Sequence, residues 1–396
     1  MARDLSKMTN IEDLRRVARR KVPKMFFDYV RSGSWTESTL HHNTRDFDPI
    51  KFRQRVLVDM TNRTLETTMI GETVKMPVAI APTGFTGMMY ADGEILAAKA
   101  AEKFGVPFSL STMSICSIED VAANTSKPFW FQLYVMRDRE FMEDLIKRAK
   151  AANCSALILT ADLQVLGQRH RDIKNGLSAP PKPTLLNMLD LALRPQWCWH
   201  MLHTKRRTFG NIVGHAKNVS DLSSLSSWTS EQFDPRLSWD DVARIKDLWG
   251  GKLIIKGIMT SEDAEKAAKS GADALIISNH GGRQLDRAPV PFHLLPHVVR
   301  EIGKDATVMV DTGIMNGADI AACMALGADF TLIGRAYLYG LMAGGRAGVD
   351  RAIAILHEEL VRTMKLLGVS SIAELEPRHI TQLTRYVPVP KLAQHV

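Results

Sequence analysis

The sequence predicts an α/β fold, a (β/α)8 TIM barrel with a helical segment ahead of it and one long insertion. Three observations carry that prediction: eight short β-rich runs, helix-like segments between them, and a polar residue at or near the C-terminal end of every run. The runs are Val78–Thr83, Pro107–Thr112, Phe129–Tyr134, Ala156–Asp162, Lys252–Gly257, Ala274–His280, Thr307–Gly313 and Phe330–Arg335. Their apolar stretches suit buried strands. Asp92–Phe104, Asp138–Ala152, Ser261–Ser270 and Asn316–Leu326 read as helices between them. No internal repeat appears beyond this rhythm.

Ahead of the barrel, an amphipathic helix opens at Thr9-Asn10 with Leu14, Val17 and Ala18 on one face. A second apolar face, Phe26-Phe27-Asp28-Tyr29-Val30, ends at Ser32-Gly33-Ser34. We expect one domain over 1–396: a helical segment over 1–77, a barrel over 78–370, and an insertion at about 164–238 between strands four and five. Roughly 90 residues separate those strands, where a few tens suffice. Residues 164–218 hold nine Lys/Arg against two Asp/Glu, and the rest of the chain is close to neutral. That local excess disfavours nucleic acid as a partner.

The insertion contains Pro180-Pro181-Lys182-Pro183, a leucine-rich run over 185–189, Trp197-Cys198-Trp199 and Lys205-Arg206-Arg207. Leucines, tryptophans and cations together suit an interfacial membrane anchor at about 185–207. The alternative is a long loop that covers the active site or packs on a neighbouring subunit. With 45% hydrophobic and 24% charged residues, the composition is that of an ordinary globular protein. Cys116, Cys154, Cys198 and Cys323 form no CxxC pair, so reduced thiols in a cytoplasmic setting, and no metal site, are expected. Charged residues fill the N-terminus before any apolar run, so no secretory signal is expected.

The chemistry concentrates in Ser278-Asn279-His280-Gly281-Gly282-Arg283-Gln284-Leu285-Asp286, just past the sixth run. A base and a guanidinium three residues apart suit a substrate with a proton to lose and a carboxylate to hold. The other strand ends add Thr83, Ser111, Gln132 with Tyr134, Thr160 with Asp162, Lys256, Asp311 and Arg335. A single Ser or Thr there is more often a turn or cap than a ligand. A buried lysine or aspartate says more, because each needs a partner. Asp162 finds one if His280 faces it, and Lys256 if an anion or cofactor does. Asp311-Thr312-Gly313 and Ile333-Gly334-Arg335 are candidate phosphate turns. No GxGxxG motif opens a strand–helix unit, which disfavours a nicotinamide site.

At these residues the chain resembles the FMN-dependent L-2-hydroxy acid dehydrogenases and oxidases, and most of all the bacterial respiratory L-lactate dehydrogenases. Ser-Asn-His-Gly-Gly-Arg-Gln-Leu-Asp carries the likeness, with Phe131-Gln132-Leu133-Tyr134, Ala81-Pro82-Thr83-Gly84 and Val22-Pro23-Lys24 in agreement. The resemblance implies His280 as the base and Asp162 as its electrostatic partner. It implies Arg283, Arg169 and Tyr29 as the substrate-carboxylate clamp, and Tyr134 at the substrate oxygen. Lys256 would sit beside the flavin N1/C2 carbonyl edge. Pro82, Thr83, Gly84, Ser111, Gln132, Thr160 and Ser278 would contact the flavin, and Asp311, Gly313, Gly334 and Arg335 the ribityl-phosphate end.

The implied reaction is oxidation of L-lactate, or a related L-2-hydroxy acid, to the 2-oxo acid. The α-hydrogen could leave as proton or as hydride with these residues. Electrons would pass to a quinone or similar acceptor, from a homotetramer held peripherally on the cytoplasmic face of the inner membrane. An oxygen-dependent oxidase releasing peroxide and a mandelate-type dehydrogenase are the alternative enzymes; a non-catalytic flavin-binding barrel is the alternative outside enzymes. Three departures stand out: Met315 where many relatives carry arginine, Met113 where glycolate oxidase is aromatic, and Gly84 where several oxidases have alanine. Met315 removes a phosphate contact, while Met113 and Gly84 are expected to widen the substrate space.

Overall fold

The computed structural model describes residues 4–177, 184–216, 232 and 234–381. Eight strands form one parallel sheet: β1 (Val78–Ile80), β2 (Ser109–Ser111), β3 (Trp130–Tyr134), β4 (Ala156–Thr160), β5 (Lys252–Ile258), β6 (Ala274–Ile277), β7 (Thr307–Val310) and β8 (Phe330–Ile333). Sequential strands from β2 to β8 are neighbours, and β8 pairs with β1. A parallel bridge from Ile80 to Phe108 closes the cylinder between β1 and β2. This is the expected (β/α)8 barrel.

Strand residues alternate between two cores, as a period of two requires. Ala79, Ile158, Ile254, Ile276, Met309 and Leu332 pack inside the barrel with Trp130. Ile80, Leu157, Ile255, Leu275, Val308 and Ile333 pack outward in the larger core that includes the helices. Met69 and Val74, from the hairpin Thr67–Met69/Glu72–Val74, join the inner cluster. Six strands end one to three residues before the expected point. Past those ends the chain leaves the hydrogen-bond ladder, which frees the polar residues to face the barrel mouth.

The four expected helices occur as Gly93–Phe104, Arg139–Ala151, Ser261–Lys269 and Gly317–Ala325. Asp138 and Thr260 cap two of them, and Asn316 with Asp319 forms a capping box on the last. The N-terminal segment folds as helices Ile11–Lys21, Lys24–Arg31 and Ser38–Arg45. Ile11, Leu14, Val17 and Ala18 are buried, and this first helix packs on Arg335–Leu367, the helix that follows β8.

Within the insertion lie helices His170–Lys174, Leu185–Ala192 and Pro195–His203. Pro180-Pro181-Lys182-Pro183 lies outside the described residues. The two tryptophans part company. Trp197 stacks on Phe26 at 5.4 Å and donates to the Met88 carbonyl, while Trp199 is exposed. Among the described residues, no helix is long and apolar enough to cross a membrane.

Candidate active site

A cavity of about 820 Å³ opens at the C-terminal mouth of the barrel. Its wall includes Tyr29, Pro82, Thr83, Gly84, Tyr134, Arg169, Lys256, His280, Arg283, Asp311, Gly313, Gly334 and Arg335. Thirteen expected site residues, from six strand ends, the N-terminal helices and the insertion, therefore share one space. Ser111, Gln132, Thr160 and Ser278 are buried behind that wall.

His280 has φ +57, a left-handed conformation that a non-glycine residue seldom adopts. The two glycines after it make the turn tight. A Cβ on Gly282, itself at φ +72, would lie 2.6 Å from the Leu40 backbone nitrogen. His280 Nδ1 lies 3.1 and 3.2 Å from the two Asp162 carboxylate oxygens. If Nδ1–H donates to Asp162, the neutral ring keeps its lone pair on Nε2, where it can take a proton. Burial opposes charge on Asp162, but His280, and then Lys256, more than offset it and hold the carboxyl below its usual range. Gly257 makes room for this pair: at φ +104, a Cβ there would lie 2.7 Å from the Asp162 Cβ.

Two guanidiniums lie near Tyr29. The Arg283 Cζ is 4.4 Å, and that of Arg169 5.8 Å, from the Tyr29 ring centroid. Arg283 is held by the Tyr29 carbonyl and, at 3.3 Å, by Ser32 O. Burial, and then the charge of Arg169, push the Arg283 pKa down to about 10, so it remains a cation at neutral pH. Asp172 lies between the arginines, 2.7 Å from Arg169 Nε and 4.0 Å from Arg283 Nη2. Burial pushes the Tyr134 phenol up, with Asp162 and Tyr29 adding to it against Arg169 and Arg283. Tyr134 is thus a hydroxyl donor at neutral pH, facing a base and two cations.

Lys256 finds its anion inside the protein. Its Nζ lies 3.2 Å from Asp311 Oδ2 and donates to Ser278 Oγ at 2.7 Å. Asp311, expected at the ribityl-phosphate end, therefore pairs with the strand-five lysine. Thr83 turns its hydroxyl to Tyr337 and Thr86. Gly84 does not create space as expected. A Cβ there would meet the Met113 carbonyl oxygen at 3.1 Å, so the glycine permits close packing.

The far end of the cavity differs from expectation in three ways. Arg335 does not present a free fork: it donates to Val30 O, Gly281 O and Ser32 O at 2.8 to 3.0 Å. Gly313 lacks a side chain because a Cβ would sit 1.8 Å from Asn43 O. The N–H groups of Met315 and Asn316 are taken by Asp319, and that of Gly317 by Glu359. At Gly334, by contrast, a Cβ would meet no protein atom within 4 Å. This glycine precedes helix Arg335–Leu367, whose start has no side-chain cap, so first-turn N–H groups remain for an anion.

Sequence reasoning missed the supports. Gln284 donates to Asp162 O and Val165 O and accepts from Gly167 N, pinning the loop that carries Arg169. The Asn43 and Asn279 amides bond reciprocally, and Asp286 accepts from Thr36 and Thr39. Gln284 and Asp286 belong to the motif already singled out, whereas Asn43 and Asp172 carry no local signal.

A match to the FMN-dependent dehydrogenase family model spans residues 18–382. The chain belongs to the FMN-dependent dehydrogenase family. It is 48% identical over 388 residues to a Mycobacterium tuberculosis protein, covering 98% of this chain and 92% of the relative. It is 40% identical to the L-lactate dehydrogenase of Acinetobacter baylyi (96% and 99% covered) and 43% identical to that of Vibrio cholerae (92% and 96%). Among solved structures it is similar to a monotopic membrane protein, (S)-mandelate dehydrogenase, at TM-score 0.90 and 36% identity, covering 95% of this chain and all of the other. Mandelate oxidase with (S)-4-hydroxymandelic acid gives 0.82 and 31%, with 96% and 100% covered.

The residues present fit FMN, the family's cofactor. Gln132 Nε2 is buried with no hydrogen-bond partner among the described residues, although Ser111 Oγ already satisfies Oε1 at 2.9 Å. A buried amide donor left open is costly unless a ligand oxygen completes it. Lys256 supplies a cation to the same cavity, and the Gly334 turn leaves backbone for a phosphate.

Proposed function

We propose that this protein oxidises L-lactate, or a similarly small L-2-hydroxy acid, to the 2-oxo acid, acting as a single domain. The observation that carries this reading is the His280–Asp162 pair facing the same cavity as Arg169, Arg283, Tyr29 and Tyr134. Arg283 and Arg169 bind the substrate carboxylate, with the Tyr29 hydroxyl beside them. His280 accepts a proton at Nε2, and Asp162 stabilises the imidazolium that forms. Tyr134 hydrogen-bonds the substrate oxygen and Lys256 keeps positive charge at the cofactor edge. FMN, when bound, supplies the two-electron acceptor. Pro82, Thr83, Gly84, Ser111, Gln132, Thr160 and Ser278 hold the ring system, with Asp311, Gly313, Gly334 and Arg335 further along. Lactate is preferred to mandelate because the relatives of 40 and 43% identity are L-lactate dehydrogenases. The test is anaerobic mixing of the FMN-loaded protein with L-lactate, D-lactate and (S)-mandelate, each followed by flavin absorbance. Fastest bleaching by L-lactate supports the assignment, and fastest bleaching by (S)-mandelate replaces it.

The acceptor is a membrane quinone in this reading, and the protein a homotetramer resting on the cytoplasmic face of the inner membrane. Leu186, Met188, Leu189 and Leu193, with Trp199 and Leu202, are exposed on or just after helices Leu185–Ala192 and Pro195–His203 of the insertion. Such a face suits an interfacial bilayer contact. The cationic part is smaller than the sequence implied: Arg206 is spent on Asp92 and Asp120 at 3.0 and 2.8 Å. Leu186→Ser with Leu189→Ser should therefore reduce liposome co-sedimentation more than Lys205→Ala. Reoxidation much faster by oxygen than by a quinone analogue would favour the oxidase instead.

A further inference from the structure

We propose that Arg31 binds the phosphate of the cofactor. This rests on the cavity holding FMN, and it names a contact that neither the β7 nor the β8 loop supplies. A flavin phosphate carries close to two negative charges at neutral pH and calls for a cation beside backbone donors. The β7 loop offers no cationic side chain to the cavity, and the N–H groups of Met315, Asn316 and Gly317 already serve Asp319 and Glu359. Arg335 gives three of its five N–H groups to carbonyl oxygens, which fixes its orientation.

Arg31 borders the same cavity at the end of helix Lys24–Arg31 and makes no hydrogen bond or ion pair with a described residue. Its backbone is held in place from both sides. Arg335 Nε bonds Val30 O at 2.8 Å and Nη2 bonds Ser32 O at 3.0 Å, so the β8 arginine clamps the residues flanking Arg31. The side chain lies near Tyr339, one turn into the helix that Gly334 opens. Burial raises the Tyr339 phenol, and the charges of Arg335, Arg15 and Arg31 act against that rise. Glu12 is the carboxylate in this group, and Arg15 already holds it through contacts of 2.5 and 2.6 Å. Arg31 thus brings a cation with no carboxylate partner among the described residues to the end of the cavity where helix N–H groups are open. Arg335, besides its own place at this end, holds the backbone on both sides of Arg31.

The experiment compares two flavins on the full-length protein freed of cofactor. FMN and riboflavin are titrated separately, with flavin fluorescence as the readout, into wild type, Arg31→Ala and Arg31→Lys. A lost charge-assisted contact weakens FMN binding roughly 10- to 100-fold. Riboflavin, which lacks the phosphate, should bind wild type and Arg31→Ala equally, which also shows that the variant is folded. Arg31→Lys should recover part of the FMN affinity, and added salt should weaken FMN binding to wild type more than to Arg31→Ala. Equal losses for both flavins would assign Arg31 a structural role and overturn the proposal, as would an unchanged FMN affinity. Failure of wild type to bind either flavin would instead remove the cofactor reading beneath it.

Discussion

At the His280 end of the cavity each of four cationic or protonatable groups has a carboxylate within 4.0 Å: His280 with Asp162, Arg169 and Arg283 with Asp172, Lys256 with Asp311. At the Gly334 end Arg335 turns to backbone carbonyls and Arg31 has no partner among the described residues. The first arrangement fixes side chains before a substrate arrives. The second leaves positive charge open for an anion. Preorganisation belongs where bonds change, and uncompensated charge where a phosphate is held for the lifetime of the complex.

The comparison can be broken most sharply at His280. His280→Gln should slow flavin reduction by about 10²- to 10⁴-fold, the usual contribution of a general base, while FMN stays bound. Stopped-flow absorbance checks the rate and the flavin-to-protein ratio checks the cofactor. A smaller effect is expected at the neighbouring ion pair. Asp311→Ala strands the buried Lys256 charge and should cost about 3–5 kcal/mol of stability, read from urea unfolding. Should the midpoint not move, the pairing of strand-end charges would lose its structural meaning.

Arg283→Lys keeps the charge but removes the fork. It should reduce kcat/KM for L-lactate by about 10- to 100-fold, in line with one charge-assisted bond. The smallest effect concerns pH at the far end. Burial pushes the Asp319 carboxyl up to about 7, from 3.8. Below 3.8 both folded and unfolded states hold the proton. As pH rises towards 7 the unfolded state releases it first, so this group's contribution to stability is lost across that window. Asp319→Asn should gain on wild type between pH 5 and pH 8 in urea midpoints. A constant difference would contradict the shift.

All eight strands and the ionisable residues at their ends were legible in the sequence, for a physical reason. A buried apolar run followed by an ionisable residue has few explanations, and Asp162, Lys256 and His280 each follow one. What could not be read depends on contacts between distant segments. Ser32 and Asp172 bond at 3.0 Å across 140 positions. Arg335 looked like a phosphate fork because its three carbonyl acceptors come from residues 30, 32 and 281. Gly84 suggested added space, yet the Met113 carbonyl fills it. The Lys205-Arg206-Arg207 run suggested a free basic cluster, but Asp92 and Asp120 neutralise its middle member. Charge in a sequence is counted before its partners are known.

The most direct measurement is anaerobic stopped-flow mixing of FMN-loaded wild type and His280→Gln with L-lactate, followed by flavin absorbance. Rapid bleaching in wild type, with bleaching nearly abolished in the variant although flavin remains bound, is the predicted result. Comparable bleaching in both proteins would contradict His280 as the base that makes this cavity a 2-hydroxy acid site.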